Sequence, residues 1–167
     1  MATTIAIVSD THMPKGKRKL PAECVRICTG ADLIVHGGDL SDRSVLDLFE
    51  AMGPPVVAIY GNIDSAELTR QLPQRRVIEI ESVKIGLIHD AGPKTGRLKR
   101  MSKAIPDCDA VIFGHSHLPL HETDHETGFQ IFNPGSPTER RRSPFKSMGR
   151  ATVDGSKVVF ELVDLGL

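Results

Sequence analysis

Residues 109–125 read DAVIFGHSHLPLHETDH, and the fold turns on what this stretch becomes. DAVIF is a short apolar run closed by glycine, the pattern of a buried strand. Gly114-His115-Ser116-His117 then forms the loop at its carboxyl end. A competing pattern, His121-Glu122-Thr123-Asp124-His125, has zinc-protease spacing, but its histidines meet only on a helix that brings i and i+4 to one face. The surrounding LPLHETDHETGFQ has no apolar helical stripe, starts beside Pro119 and carries Thr123, Asp124, Thr127 and Gly128. In extended chain His121 and His125 stand about 13 Å apart, too far for one zinc. The segment reads as the polar turn of a β-hairpin, which leaves His115 and His117 as the metal-competent pair.

The same pattern recurs upstream. TTIAIV (3–8), ADLIVH (31–36), PVVAIY (55–60) and VKIGLI (83–88) are short β-rich runs, and helix-compatible segments lie between them at 20–30, 41–53 and 95–105. Ser41 and Thr95 are expected N-caps, with Gly30 and Gly53 at helix stops. The alternation predicts βαβ units and a largely parallel central sheet. Beyond residue 118 the helical signal disappears. FQIF (129–132), GRATVD (149–154) and KVVFELVD (157–164) predict a mostly antiparallel end, with Asp154-Gly155-Ser156 as a turn. No linker or repeat divides the chain, so the expectation is one α/β domain over 1–167.

Each of the five strands in DAVIF and its upstream counterparts is followed by a potential ligand. These are Asp10 and His12, Asp39, Asn62, His89, and His115 with His117. In open α/β sheets the functional crevice lies beyond the carboxyl ends of the strands, so these loops are expected to converge. In extended chain, alternate residues point the same way, which lets Asp10 and His12 share one ion. His115 and His117 do likewise or split between neighbours. Seven ligands are too many for one tetrahedral zinc and suit two divalent ions. With two carboxylates the site stays at about +2, which attracts phosphate. Mixed nitrogen and oxygen donors favour manganese, iron, zinc or nickel over magnesium. His36, within its strand, reads as a hydrogen-bonded core histidine behind the ligands.

Taken together, DTH, GGD, GN, a lone His and GHSH in this order resemble the calcineurin-like metallophosphoesterase superfamily, in particular its small bacterial and archaeal phosphodiesterases. The resemblance covers nearly the whole chain and implies a four-layer αββα sandwich. It assigns Asp10, His12, Asp39 and His117 to one metal, and the bridging Asp39 with Asn62, His89 and His115 to the second. The implied function is a metal-dependent phosphoesterase, expected to be a phosphodiesterase, with in-line attack by a metal-bridging hydroxide. Manganese is the favoured metal; Asn62, His115 and Asp39 are the catalytic candidates. One position departs from many relatives, whose GNHD motif has a histidine where this chain has Ile63. Isoleucine cannot donate a proton to a leaving group. Asp64 is expected to cap the segment SAELTRQL. A reading from another class is a non-catalytic protein-binding scaffold resembling the metallophosphoesterase-fold subunit of the retromer coat.

Composition narrows the partners. The 167 residues carry 21 basic and 21 acidic side chains, so no global field recruits nucleic acid or an anionic membrane. A phosphate-ester substrate is the expected partner, a nucleotide among the candidates, and self-association is compatible with the sequence. No apolar run approaches the roughly 20 residues of a bilayer span. Three cysteines without a CxxC pair, and an N-terminus lacking a signal core, suggest the cytoplasm. Two basic clusters, Lys15–Lys19 and Arg140–Arg142, read mainly as solvated surface, the first being placed to hold an anionic substrate tail. Asn133-Pro134-Gly135-Ser136 reads as a turn near the site.

Overall fold

Strand β1 (Thr3–Val8) shows how the layers arise. Successive side chains of a strand face opposite ways. Ile5 and Ile7 accordingly enter one apolar cluster, while Ala6 and Val8 enter another. In this computed structural model, which describes residues 2–167, β1 joins β2 (Leu33–His36), β3 (Val56–Ala58), β9 (Lys146–Asp154) and β10 (Lys157–Gly166) in a sheet ordered β10-β9-β1-β2-β3. The β1-β2 and β2-β3 pairs are parallel; β9 runs antiparallel to β1 and β10 to β9.

The second sheet is ordered β4-β5-β6-β8-β7, from β4 (Arg75–Ile80), β5 (Val83–Ile88), β6 (Ala110–Ile112), β7 (Leu120–Thr123) and β8 (Gln130–Asn133). It alternates in the same way. Ile85, Leu87 and Ile112 face the first sheet, while Ile88, Val111 and Ile131 face outward. Helices α1 (Ala22–Gly30), α2 (Arg43–Glu50) and α3 (Ala66–Gln71) cover the outer face of sheet one through Cys24, Ile27, Val45, Phe49 and Leu68. Helix α4 (Arg97–Ala104) covers sheet two through Met101. Three apolar interlayers make four layers, αββα. Phe132 of β8 stacks on Phe160 of β10 with centroids 4.9 Å apart, a contact across the sheets worth about 0.5–1.5 kcal/mol beyond area burial.

Several local expectations change. The two sheets of the expected αββα sandwich are present, but the largely parallel central sheet is replaced by two mixed ones, because strand adjacency is set by packing between distant segments. Strand β4 escapes the sequence reading: RRVIEI lies at a sheet edge, mostly exposed and charged. Helix α2 is capped by Asp42, which accepts from the Ser44 N–H at 2.7 Å, and not by Ser41. Helix α4 starts at Gly96 without a side-chain cap, so Thr95 plays no such part. Helix α3 takes its cap from Ser65, which frees Asp64 for another task. The HETDH segment is no helix: its first half is β7, antiparallel to β8, and His121 Nε2 lies 2.8 Å from Gln130 Oε1 across the pair.

Candidate metal centre

All seven candidate residues sit just beyond the carboxyl ends of β1, β2, β3, β5 and β6, where the two sheets open together. They form two groups. In Asp10, His12 and His117 one donor atom of each lies within 4.8 Å of the others, and the same holds for Asp39, His89 and His115. Asn62 joins the second group, its Oδ1 being 3.1 Å from both His89 Nε2 and His115 Nδ1. Asp39 Oδ2 lies between the groups, 3.2 Å from His12 Nε2 and 3.2 Å from His89 Nε2. Donors about 2.0–2.1 Å from one ion in tetrahedral array stand about 3.3 Å from each other, so these spacings suit shared ligation.

The backbone that achieves this is unlike a strand. Asp10, His12, Asp39, His115 and His117 all have φ between 47° and 73°, a left-handed conformation that non-glycine residues rarely adopt and that gathers at functional sites. Asp10 and His12 converge through this turn and not through the extended alternation expected from sequence. His115 and His117 split, one to each group. Gly61 and Gly114 are required by close approach: a Cβ at Gly61 would overlap the Asp39 carboxylate, and one at Gly114 would overlap Ser9 Oγ and Asp10 Oδ2.

Each carboxylate has one oxygen tied and one presented. Asp10 Oδ2 accepts from Ser9 Oγ at 2.7 Å and from the His115 N–H at 3.0 Å. Its Oδ1 is buried without a hydrogen-bond partner and faces His117 Nε2 at 3.4 Å. Asp39 Oδ1 accepts from the Ile63 N–H at 3.1 Å, leaving Oδ2 for the histidines. His89 is aimed likewise, its Nδ1–H donating to Gly37 C=O at 2.8 Å so that Nε2 faces Asp39. Orphaned Asp10 Oδ1 and His117 Nε2, both buried and turned toward one another, are what a cation between them would satisfy. The donor set therefore fits metal ions.

Electrostatics agree with that fit. Burial alone would raise the Asp10 carboxyl, but the imidazoles of His117, His12 and His89 outweigh it and hold it well below the carboxylate range. Asp39 is held low in the same way by His12, His89 and the Ile63 N–H. Burial would lower His12 and His89, yet their contacts to Asp10 and Asp39 raise both to about 9. Protons on His12 and His89 and bound cations are thus alternative sources of the positive charge that the two carboxylates hold. His36 is fully buried; it accepts from the Gly38 N–H at Nδ1 and lies 3.1 Å from Thr11 Oγ1 at Nε2. Burial pushes it down to about 3, so it is a neutral packing residue and cannot serve as a proton source.

Other roles escape the sequence reading, although the NPGS turn lies near the site as expected. Asp64 accepts from the N–H groups of Asp39 (3.0 Å), Ser41 (2.7 Å) and Gly61 (2.7 Å), fastening the β2 and β3 loops together. The NPGS turn fastens two more: Asn133 Nδ2 donates to Gly114 C=O and Ser116 Oγ, both at 3.1 Å, and Ser136 Oγ donates to Asp10 C=O at 2.8 Å. Thr138 Oγ1 donates to Thr11 C=O at 2.8 Å. Beside Asn62 and His89 opens a cavity of about 340 Å³ that Tyr60, Gln74, Arg75 and Asp90 also line.

Among the described residues no helix is long and apolar enough to cross a membrane. The chain is similar to a probable metallophosphoesterase of Methanocaldococcus jannaschii, 35% identical over 153 residues that cover 90% of this chain and 76% of that protein. A probable metallophosphoesterase of Methanothermobacter thermautotrophicus is 32% identical over 166 residues, 97% of this chain and 92% of that one. Among solved structures, vacuolar protein sorting 29 from Cryptosporidium parvum shares the fold with a TM-score of 0.84 over 98% of this chain and 91% of that chain, at 22% identity. The family model for the calcineurin-like phosphoesterase superfamily domain matches residues 3–156, which takes in every strand-end loop of the site. On that match and those two relatives, the chain belongs to the calcineurin-like phosphoesterase superfamily.

Proposed function

We propose that this chain is a cytoplasmic, single-domain phosphodiesterase that works with two divalent ions, manganese being favoured. Asp10, His12, Asp39 and His117 would hold one ion, and Asp39, Asn62, His89 and His115 the other. The observation that carries this reading is Asp39 Oδ2, equidistant at 3.2 Å from a histidine of each group. When bound, two such ions supply Lewis-acid charge to a phosphoryl group and lower the pKa of water. The protein's own part is orientation. Asn62 and His115 are exposed at the mouth and meet the phosphate ester first, whereas Asp10, His12, Asp39, His89 and His117 are buried and preorganised behind them. The cavity beside Asn62 has room for a second ester arm, which supports a diester over a monoester.

No side chain at position 63 can protonate the leaving group, and the Ile63 N–H is engaged by Asp39. Rates across a series of aryl phosphodiesters, measured with added manganese, should therefore fall steeply as leaving-group pKa rises. Chelator should abolish them. The alternative, a non-catalytic scaffold, takes its support from the likeness to vacuolar protein sorting 29, which at 22% identity is a likeness of fold alone. A chain with both sites filled and no hydrolysis of any mono- or diester would favour that alternative.

A further inference from the structure

Glu139 belongs to none of the strand-end motifs. It lies in the loop between β8 and β9, partly buried, and three groups converge on it. Its Oε1 is 3.0 Å from His117 Nδ1 and 2.9 Å from Arg141 Nε, and its Oε2 accepts from Arg18 Nε at 3.0 Å and Nη2 at 2.5 Å. Its backbone N–H donates to Ser136 Oγ at 3.2 Å, inside the NPGS fastening. The His117 side chain is fully buried. An imidazole that offers Nε2 to a cation carries its proton on Nδ1, and a buried Nδ1–H needs an acceptor that fixes tautomer and ring plane. The approach of Glu139 to Nδ1 lies within ion-pair distance but off hydrogen-bond alignment.

We infer that Glu139 is the positioning residue of the Asp10–His12–His117 group, holding His117 as the Nδ1–H tautomer with Nε2 toward Asp10. This rests on the proposed role of His117 as a metal ligand. Arg18 and Arg141 occupy both carboxylate oxygens, which anchors Glu139 behind the ring and keeps it from entering the ion site itself. Two of the residues in the basic clusters thus act on a carboxylate of their own chain and not on a substrate tail.

The test is calorimetric titration of the full chain with manganese, together with the visible spectrum of the cobalt-loaded protein. Glu139→Ala should weaken one of two ions by about 10–100-fold, the usual scale for such partners, leave the other unchanged and alter the cobalt spectrum. Glu139→Gln keeps an acceptor oxygen and should restore most of both. Two ions at wild-type affinity with an unchanged spectrum in Glu139→Ala would overturn the inference while leaving the metal reading intact. A wild-type chain that binds no manganese would overturn the metal reading and this inference with it. If Glu139→Ala gives no cooperative melt, Arg141→Ala, at an exposed side chain, replaces it. That variant should weaken the same ion, by less, and equal affinity would again overturn the inference.

Discussion

At the scale of the residue, the site is a mesh of two carboxylates and the two histidines that they raise. His12 and His89 move from an ordinary 6.5 to about 9 on folding, so between those values the folded chain binds more protons than the unfolded one. Their contribution to stability is complete below 6.5 and is lost as pH rises through 9. Asp10 and Asp39 move down from 3.8, so theirs is present above that value and is lost as pH falls below it. His36, held neutral by burial and lowered from 6.5 to about 3, adds stability that is lost as pH falls below 6.5. Melting of chelator-treated protein should therefore show its highest Tm near pH 6.5, with a decline toward pH 4 and another toward pH 9. Saturating manganese should remove the alkaline decline, because ions take over the role of the protons. A metal-free Tm that rises from pH 6.5 to 9 would contradict this coupling.

Among elements, the site is a set of irregular loops whose polar backbone is satisfied by side chains from elsewhere. Asn133 shows what such a clamp contributes. It is fully buried, donates to Gly114 and Ser116, and accepts from the Gly135 N–H at 2.9 Å. Asn133→Ala strands buried backbone groups, at a cost of about 1–3 kcal/mol. With roughly 2–4 °C per kcal/mol for a domain of this size, Tm should fall by about 2–12 °C, and an unchanged Tm would show that the turn is no clamp. The seven candidate ligands were legible in the sequence because each follows an apolar strand run. The Asn133–Ser136 turn was legible as a feature near the site, but the partners of Asn133, Ser136, Asp64 and Glu139 were not, since they are backbone groups or side chains far along the chain, and no spacing rule encodes such pairs. Strand β4 hid for another reason: an edge strand with Arg75, Arg76 and Glu79 lacks the apolar run that marks a buried one.

For the whole molecule, three apolar interlayers hold two sheets together, so that loops from both present the candidate ligands to one mouth. Strand order was illegible because it depends on which faces pack together, although the alternation of Ile5 and Ile7 against Ala6 and Val8 already contained the two-faced burial. The central claim is that Asp39 joins the two groups into one dinuclear centre. Its most direct test is manganese stoichiometry and phosphodiester hydrolysis measured together in wild type, Asp39→Asn and the control His121→Ala. Wild type and His121→Ala should bind two ions per chain and hydrolyse the diester. Asp39→Asn should lose affinity at both sites and turnover by about two orders of magnitude or more, because a shared ligand loses its charge. Two tightly held ions and a near-normal rate in Asp39→Asn, or loss of an ion in His121→Ala, would contradict it.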